Sequence, residues 1–242
     1  MATEVWQGPG AFRPALALGA GAQLALLLLL WVTVGLGTVG WLVGAADLVV
    51  TFALLGYAFR RQPSRSLGPA NLVTLTRVTL IGGVTALVAD RLGHPAPVVL
   101  VVLAAVAVVL DGVDGKVARR TGTVSEVGAR FDMEADAFLI LVLSVFVAPS
   151  LGLWTLAIGL MRYAYVAASW VAPWMRLRLP VLYSRKVVAV VQMVTLVVAS
   201  AGVLPHLVAV VVVALALASL TWSFGRDVWW QWRRRHEDPR WA

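Results

Sequence analysis

Apolar residues run along this chain in long blocks rather than at helical or strand spacing. Stretches near 16–38, 40–59, 71–90, 97–118, 129–149, 152–173, 186–204 and 206–224 are dominated by Leu, Val, Ala and Ile. A helix needs roughly 20 such residues to cross a hydrocarbon core about 30 Å thick. Leu26–Leu30 and Val98–Val109 lack the alternation of a transmembrane barrel strand. An open sheet is excluded because lipid cannot satisfy its edge hydrogen bonds. The pattern predicts an all-α protein, a polytopic membrane helical bundle of eight spans with negligible soluble domain. The only clear break is RQPSRSLGP at 61–69, which separates two leading helices from six that follow. No internal repeat is visible. The first block is long, lacks a basic leader and is followed at once by another span. It is expected to remain as a helix rather than to be cleaved as a signal peptide.

Composition supports the membrane reading. Hydrophobic residues make up 60% of the 242 and charged residues only 13%. A soluble domain is closer to half apolar and a quarter charged, and disorder needs low hydrophobicity and high charge. The chain has no cysteine, which removes disulfides, thiolate metal sites and cysteine nucleophiles. His94, His206 and His236 are scattered, which argues against a His-rich metal site. The net charge of +8 in so apolar a chain points to basic loops beside anionic lipid, not to nucleic acid.

The basic residues are distributed unevenly. Arg60, Arg61, Arg65 and Arg77 fall at the connection between the second and third spans. Lys116, Arg119, Arg120 and Arg130 surround the next alternate loop, and Arg176, Arg178, Arg185 and Lys186 the one after. Arg226, Arg233, Arg234, Arg235 and Arg240 crowd the C-terminus, while the opposite loops carry little beyond Arg91 beside Asp90. This asymmetry predicts that the basic loops and both termini face the cytoplasm. Trp229, Trp230 and Trp232 read as interfacial anchors.

Acidic residues are scarce, twelve in all, yet four fall within 26 residues: Asp111, Asp114, Asp132 and Asp136. They lie where one span reaches the basic side and the next departs. Asp111 and Asp114 are three apart and share a helix face, as do Asp132 and Asp136, four apart. A turn around Thr121–Thr123 would set the two helices antiparallel, with all four carboxylates facing one gap. So much negative charge in a low dielectric demands cations. Oxygen-only ligands suit hard ions such as Mg²⁺, Mn²⁺ or Ca²⁺, and two divalent ions balance four carboxylates. The bland alternative is a set of salt bridges to Lys116, Arg119, Arg120 and Arg130. Intramembrane acids are costly and usually functional.

The whole spacing is D-x2-D-G-x2-A-R-x8-G-x3-D-x3-D: Asp111, Asp114, Gly115, Ala118, Arg119, Gly128, Asp132 and Asp136. This resembles the signature of the CDP-alcohol phosphotransferases, also called CDP-alcohol phosphatidyltransferases. An upstream P-x-N-x2-T-x2-R (Pro69, Asn71, Thr74, Arg77) is similar to the family as well. The resemblance implies a six-helix membrane core at 63–225. Two additional N-terminal helices at 1–62 would precede it and a basic cytoplasmic tail at 226–242 would follow. It implies a phospholipid-synthesising enzyme of the cytoplasmic membrane, dimeric, with its active site facing the cytoplasm. An alcohol would attack the β-phosphorus of CDP-diacylglycerol and CMP would leave. By the same resemblance Asp111, Asp114, Asp132 and Asp136 ligate two divalent ions, Mg²⁺ or Mn²⁺, with Ca²⁺ as a further occupant. Asp136 is also the general base. Asn71, Thr74, Asp111, Gly115 and Arg119 are implied to contact the CDP moiety.

The acceptor is less well marked. Arg162 lies inside an apolar span, where it needs an anionic partner or a wet cavity. Relatives with phosphorylated acceptors use basic residues in this region. The resemblance therefore implies Arg162, Arg185 and Lys186 as acceptor contacts, for glycerol 3-phosphate or an inositol phosphate. Relatives that take glycerol phosphate often carry K-x-K-T-x2-Q; here Lys186 and Gln192 remain, but Val188 and Ala189 replace the middle pair. Asp47 is a further intramembrane acid, without a functional assignment. Two other classes share part of the pattern. Membrane prenyltransferases use Asp-rich motifs with Mg²⁺, but usually far apart in sequence. A non-enzymatic ion-binding or transporting protein could hold four acids in its path.

Overall fold

A computed structural model describes residues 12–60, 69–121, 126–177, 179 and 183–235, except the side chains of 12–15, 58–60, 69–72, 113–121, 126–129 and 183. The described residues form eight α-helices and no strand: α1 (Phe12–Val34), α2 (Thr38–Arg60), α3 (Pro69–Asp90), α4 (Val98–Thr121), α5 (Glu126–Leu151), α6 (Leu156–Val171), α7 (Tyr183–Ser200) and α8 (His206–Arg234). Two 3₁₀ turns, Leu153–Thr155 and Pro173–Arg176, flank α6. This is the expected all-helical membrane bundle with its eight helices in the expected order.

Three boundaries differ from the sequence reading, each for a local reason. α1 ends at Val34 rather than near 38 because Gly35 takes a positive φ of 72° and its N–H caps the carbonyl of Trp31 at 3.2 Å. α6 starts late because Gly152, at φ 108°, turns the chain into a 3₁₀ segment first. α8 continues to Arg234 because polar residues past 224 still find helical partners. Arg233 stacks over Trp229 at 3.9 Å and Arg234 over Trp230 at 4.3 Å, each one turn on. Among the described residues, five helical stretches are long and apolar enough to cross a membrane: Leu16–Val34, Thr38–Tyr57, Val73–Asp90, Arg130–Leu151 and His206–Arg234. Among the described residues the apolar stretch of α4, Val98–Gly112, is shorter.

The chain divides into two compact units, 1–139 and 140–242. In the first, α3 is the central helix. Every residue from Arg77 to Val88 except Leu80 is buried. A helix apolar all round belongs in an interior, and α1, α2 and α4 all pack against it. Small residues allow the close approach. A Cβ on Gly44 of α2 would sit 3.0 Å from Ala86 Cβ and 2.7 Å from Leu27 Cδ2, and one on Gly40 would sit 2.9 Å from the Ala86 carbonyl. Spaced four apart, these glycines form the small-xxx-small face that drives helix association in lipid. The outward faces of α1 and α2 expose Leu18, Leu29, Leu42 and Val49, as lipid contact requires.

In the second unit polar side chains tie helix ends together. Gln192, fully buried on α7, donates to the Ala216 carbonyl of α8 at 2.8 Å. Gln231, also fully buried, donates to the carbonyls of Met175 and Leu177 at 2.8 and 2.9 Å and accepts from the Tyr165 hydroxyl at 2.8 Å. Gln231, seven residues beyond the expected end of the last span, thereby binds the end of α8 to the turn after α6.

Gly44→Leu should lower unfolding stability in detergent by about 1–3 kcal/mol through overpacking. Gly56→Leu, where the nearest atom to a Cβ is 3.8 Å away, should not. Chemical unfolding of both variants checks the α2–α3 contact.

Candidate active site

The site grows from the ends of α3, α4 and α5 that meet around the acidic motif in the first unit. Arg77 projects from α3 and is 1% exposed, the largest fully buried side chain described. A buried guanidinium must be paired, and the acidic cluster supplies the partners. Arg77 Nη1 meets Asp111 Oδ1 of α4 at 2.8 Å and also Asp132 Oδ1 of α5. Its Nη2 meets Asp136 Oδ1 and lies 3.3 Å from the Asp132 carbonyl. Three carboxylates from two helices therefore converge on one cation from a third. Asp132 and Asp136 face the same way because they stand one helical turn apart. The carboxylates keep between 25% and 32% of their surface open, so they line an accessible rim rather than a sealed core.

Of the four aspartates expected to converge, Asp111, Asp132 and Asp136 meet at Arg77, and the side chain of Asp114 lies outside the described residues. The centre differs from the expected cage of cations. Among the described residues, no group of three or more His, Cys, Asp or Glu side chains is arranged as a metal site. The Arg77 head lies where the three described carboxylates meet, and the side chain of Asp114 lies outside the described residues. Among the described side chains Arg77 supplies counter-charge to these three acids, while the side chains of Lys116, Arg119 and Arg120 lie outside the described residues. The signal was available. Arg77 stands inside an apolar span, the same condition that marks Arg162 as needing an anion.

The remaining predicted residues divide by position. Thr74 lies on α3 one turn before Arg77 and is half-buried. Asn71 is on α3, and Asp114, Gly115 and Arg119 are on α4, but their side chains lie outside the described residues. Arg162, Arg185 and Lys186 belong to the second unit. There Arg162 is half-buried on α6 and Lys186 is exposed. Arg185 is held in a two-point contact by Asp227 of α8, Nε to Oδ2 at 2.7 Å and Nη2 to Oδ1 at 3.1 Å. Asp227 was not singled out in the sequence. Gln192, the retained end of the acceptor-region motif, is directed at the α8 backbone.

The donor chemistry at the acidic cluster fits a hard divalent ion. All the described ligand atoms are carboxylate oxygens, focused from two helices on one point.

The family profile of the CDP-alcohol phosphatidyltransferases matches residues 68–222. That match covers more than half of the chain, and the protein belongs to this family. No curated protein and no solved structure gives a significant match. Its family consists of membrane transferases of phospholipid biosynthesis, which use CDP-alcohol donors and alcohol acceptors and are generally dependent on divalent metal. The matched segment starts at α3 and contains every acid of the cluster; α1 and α2 precede it.

Arg77→Met should cost about 3 kcal/mol, because it strands buried negative charge. In an Asp132→Asn background the same change should cost at least about 1 kcal/mol less. Additive effects in the unfolding cycle would contradict the shared cluster.

Proposed function

We propose that this protein transfers the phosphatidyl group of CDP-diacylglycerol to an alcohol and releases CMP. The observation that carries the reading is the meeting of Asp111, Asp132 and Asp136 at a single cationic position inside the segment that matches the family. Asp114 belongs to the same motif, and the four aspartates would hold two divalent ions, Mg²⁺ or Mn²⁺. Bound there, such ions supply charge neutralisation for the attacking and leaving oxygens of a phosphoryl transfer.

The chain's own groups do the rest. Asn71, Thr74, Asp111, Gly115 and Arg119 bind the CDP moiety, and the planar fork of Arg119 suits a phosphate. Asp136 accepts the proton of the acceptor hydroxyl as its oxygen bonds to the β-phosphorus. The bond from that phosphorus to the bridging oxygen breaks, and CMP carries the oxygen away. Arg77 holds Asp136 and Asp132 in place and keeps their negative charge tolerable within apolar helices. The acyl chains stay in lipid while the pyrophosphate sits at the headgroup layer, the wet end of the spans.

The acceptor is proposed to be a phosphorylated alcohol, glycerol 3-phosphate or an inositol phosphate, recognised by Arg162, Arg185 and Lys186. The Arg185–Asp227 pair bears on this reading, because an incoming phosphate must compete with a carboxylate already in place. Helices 1–2 (1–62) are read as an addition to the family core at 63–225, with 226–242 as its basic end. The enzyme is read as a homodimer of the cytoplasmic membrane with the acidic cluster facing the cytoplasm, in keeping with the basic loops beside it.

Purified protein given CDP-diacylglycerol, Mg²⁺ and a panel of alcohols should release CMP and form one new phospholipid, identified by mass. Chelation should abolish the reaction. Asp136→Asn should lower kcat by about 10²–10⁴-fold with the fold intact. Pyrophosphate release from an isoprenyl donor without CMP would overturn the reading in favour of a prenyltransferase. Metal flux into liposomes without lipid turnover would favour an ion-binding protein.

A further inference from the structure

The first unit buries a second polar group, away from the acidic cluster and within its spans. Gln23 of α1 is fully buried, and its Nε2 donates to Asp47 Oδ2 of α2 at 2.9 Å. Both heads lie over Gly82 of α3. A Cβ on Gly82 would run into the Gln23 amide and stand 2.8 Å from Asp47 Oδ2. The next residue, Gly83, is as crowded, with Leu26 of α1 2.7 Å from its Cβ position. At the far end of α3 a second clamp grips the turn between α1 and α2. Asp90 Oδ1 accepts from the Gly37 N–H at 2.8 Å, and Arg91 pairs with Asp90 at 3.2 Å and donates to the Val34 carbonyl at 2.9 Å.

An amide and a carboxyl inside hydrocarbon are costly unless they satisfy each other. A pair of leucines would insert more readily, so the pair adds specificity rather than hydrophobic burial. Its position suggests what it specifies. Gly82 is five residues beyond Arg77, about 7.5 Å along the helix axis and roughly 140° around it. The α1–α2 hairpin therefore grips one side of α3 while Arg77 reaches the aspartates from another. Helices held only by smooth apolar faces can slip by a turn, about 5.4 Å. A polar contact seated on a glycine has only one favourable register.

We propose that Gln23 and Asp47 are positioning residues: their hydrogen bond over Gly82 fixes the register of α3 and so aims Arg77 at Asp111, Asp132 and Asp136. The role rests on the reading of those aspartates as the reacting site. The N-terminal hairpin, which precedes the family segment, thereby becomes a brace for the site. A displacement of about 1 Å at reacting groups can cost on the order of 10²-fold in rate, so the effect should fall on kcat rather than on KM.

The test uses the full chain in lipid nanodiscs, with CMP release from CDP-diacylglycerol as one readout. The second is the distance between spin labels on cysteines replacing Val49 of α2 and Val106 of α4. Both positions are exposed, and the chain has no other cysteine. Asp47→Asn keeps an acceptor for Gln23, and should retain kcat within about twofold and a single narrow distance distribution. Asp47→Leu and Gln23→Leu should each lower kcat tenfold or more, leave KM within threefold and broaden the distribution. Gly82→Ala, which displaces the Gln23 head without changing any polar group, should do the same if a leucine variant fails to fold. Wild-type kcat in the folded leucine variants overturns the proposal, whatever the distances. So does an Asp47→Asn variant as impaired as Asp47→Leu, since charge and not the hydrogen bond would then be at work. If the wild type releases no CMP, the reading of the reaction fails separately. The distances alone then decide the register: broadening in the leucine variants supports it and an unchanged distribution overturns it.

Discussion

A guanidinium buried to 1% exposure among three carboxylates is the constraint around which the first unit is organised. Neither side is stable in an apolar interior alone. Remove the arginine and three acids on two helices repel at close range; remove the acids and a permanent cation is left desolvated. Their mutual attraction brings the ends of α3, α4 and α5 to one place. It also explains why α3 is the most enclosed helix of the unit. An arginine that cannot reach water must sit where acids surround it.

That same arrangement suits chemistry. A site for phosphoryl transfer needs little covalent machinery and much fixed charge. Partly exposed carboxylates at the membrane end of their helices meet this need. A guanidinium in their midst holds them together. The residues of the second unit follow a different plan. There Asp227 holds Arg185, and Gln231 ties the turn after α6 to α8. Gln192 joins α7 to α8 between their middles.

Much of this was legible in the sequence, for identifiable reasons. Long apolar blocks give the helices and their order because lipid permits no other continuous solution, whereas the breaks at Gly35 and Gly152 appear only in the backbone. The acids at 111, 132 and 136 were legible because so few others exist and their spacing is helical. The position of Arg77 inside an apolar span marked it as needing an anion, but which acids it meets was not legible, since they lie 34, 55 and 59 positions away. Asp47 looked isolated for the same reason, its partner Gln23 being 24 positions distant on another helix. The continuation of α8 past 224 was masked by the drop in hydropathy, although arginines stacked on tryptophans one turn earlier sustain it. Charge pairs across helices are a property of the fold, and local pattern alone does not reveal them.

The central claim is that the three aspartates share one cation position, now filled by Arg77. Anomalous diffraction from crystals grown with Mn²⁺ tests it most directly. The account predicts a manganese peak within about 2.0–2.6 Å of carboxylate oxygens of Asp111, Asp132 and Asp136, with the Arg77 head moved aside. Saturating Mn²⁺ with no peak at these oxygens and Arg77 still seated among them would contradict it.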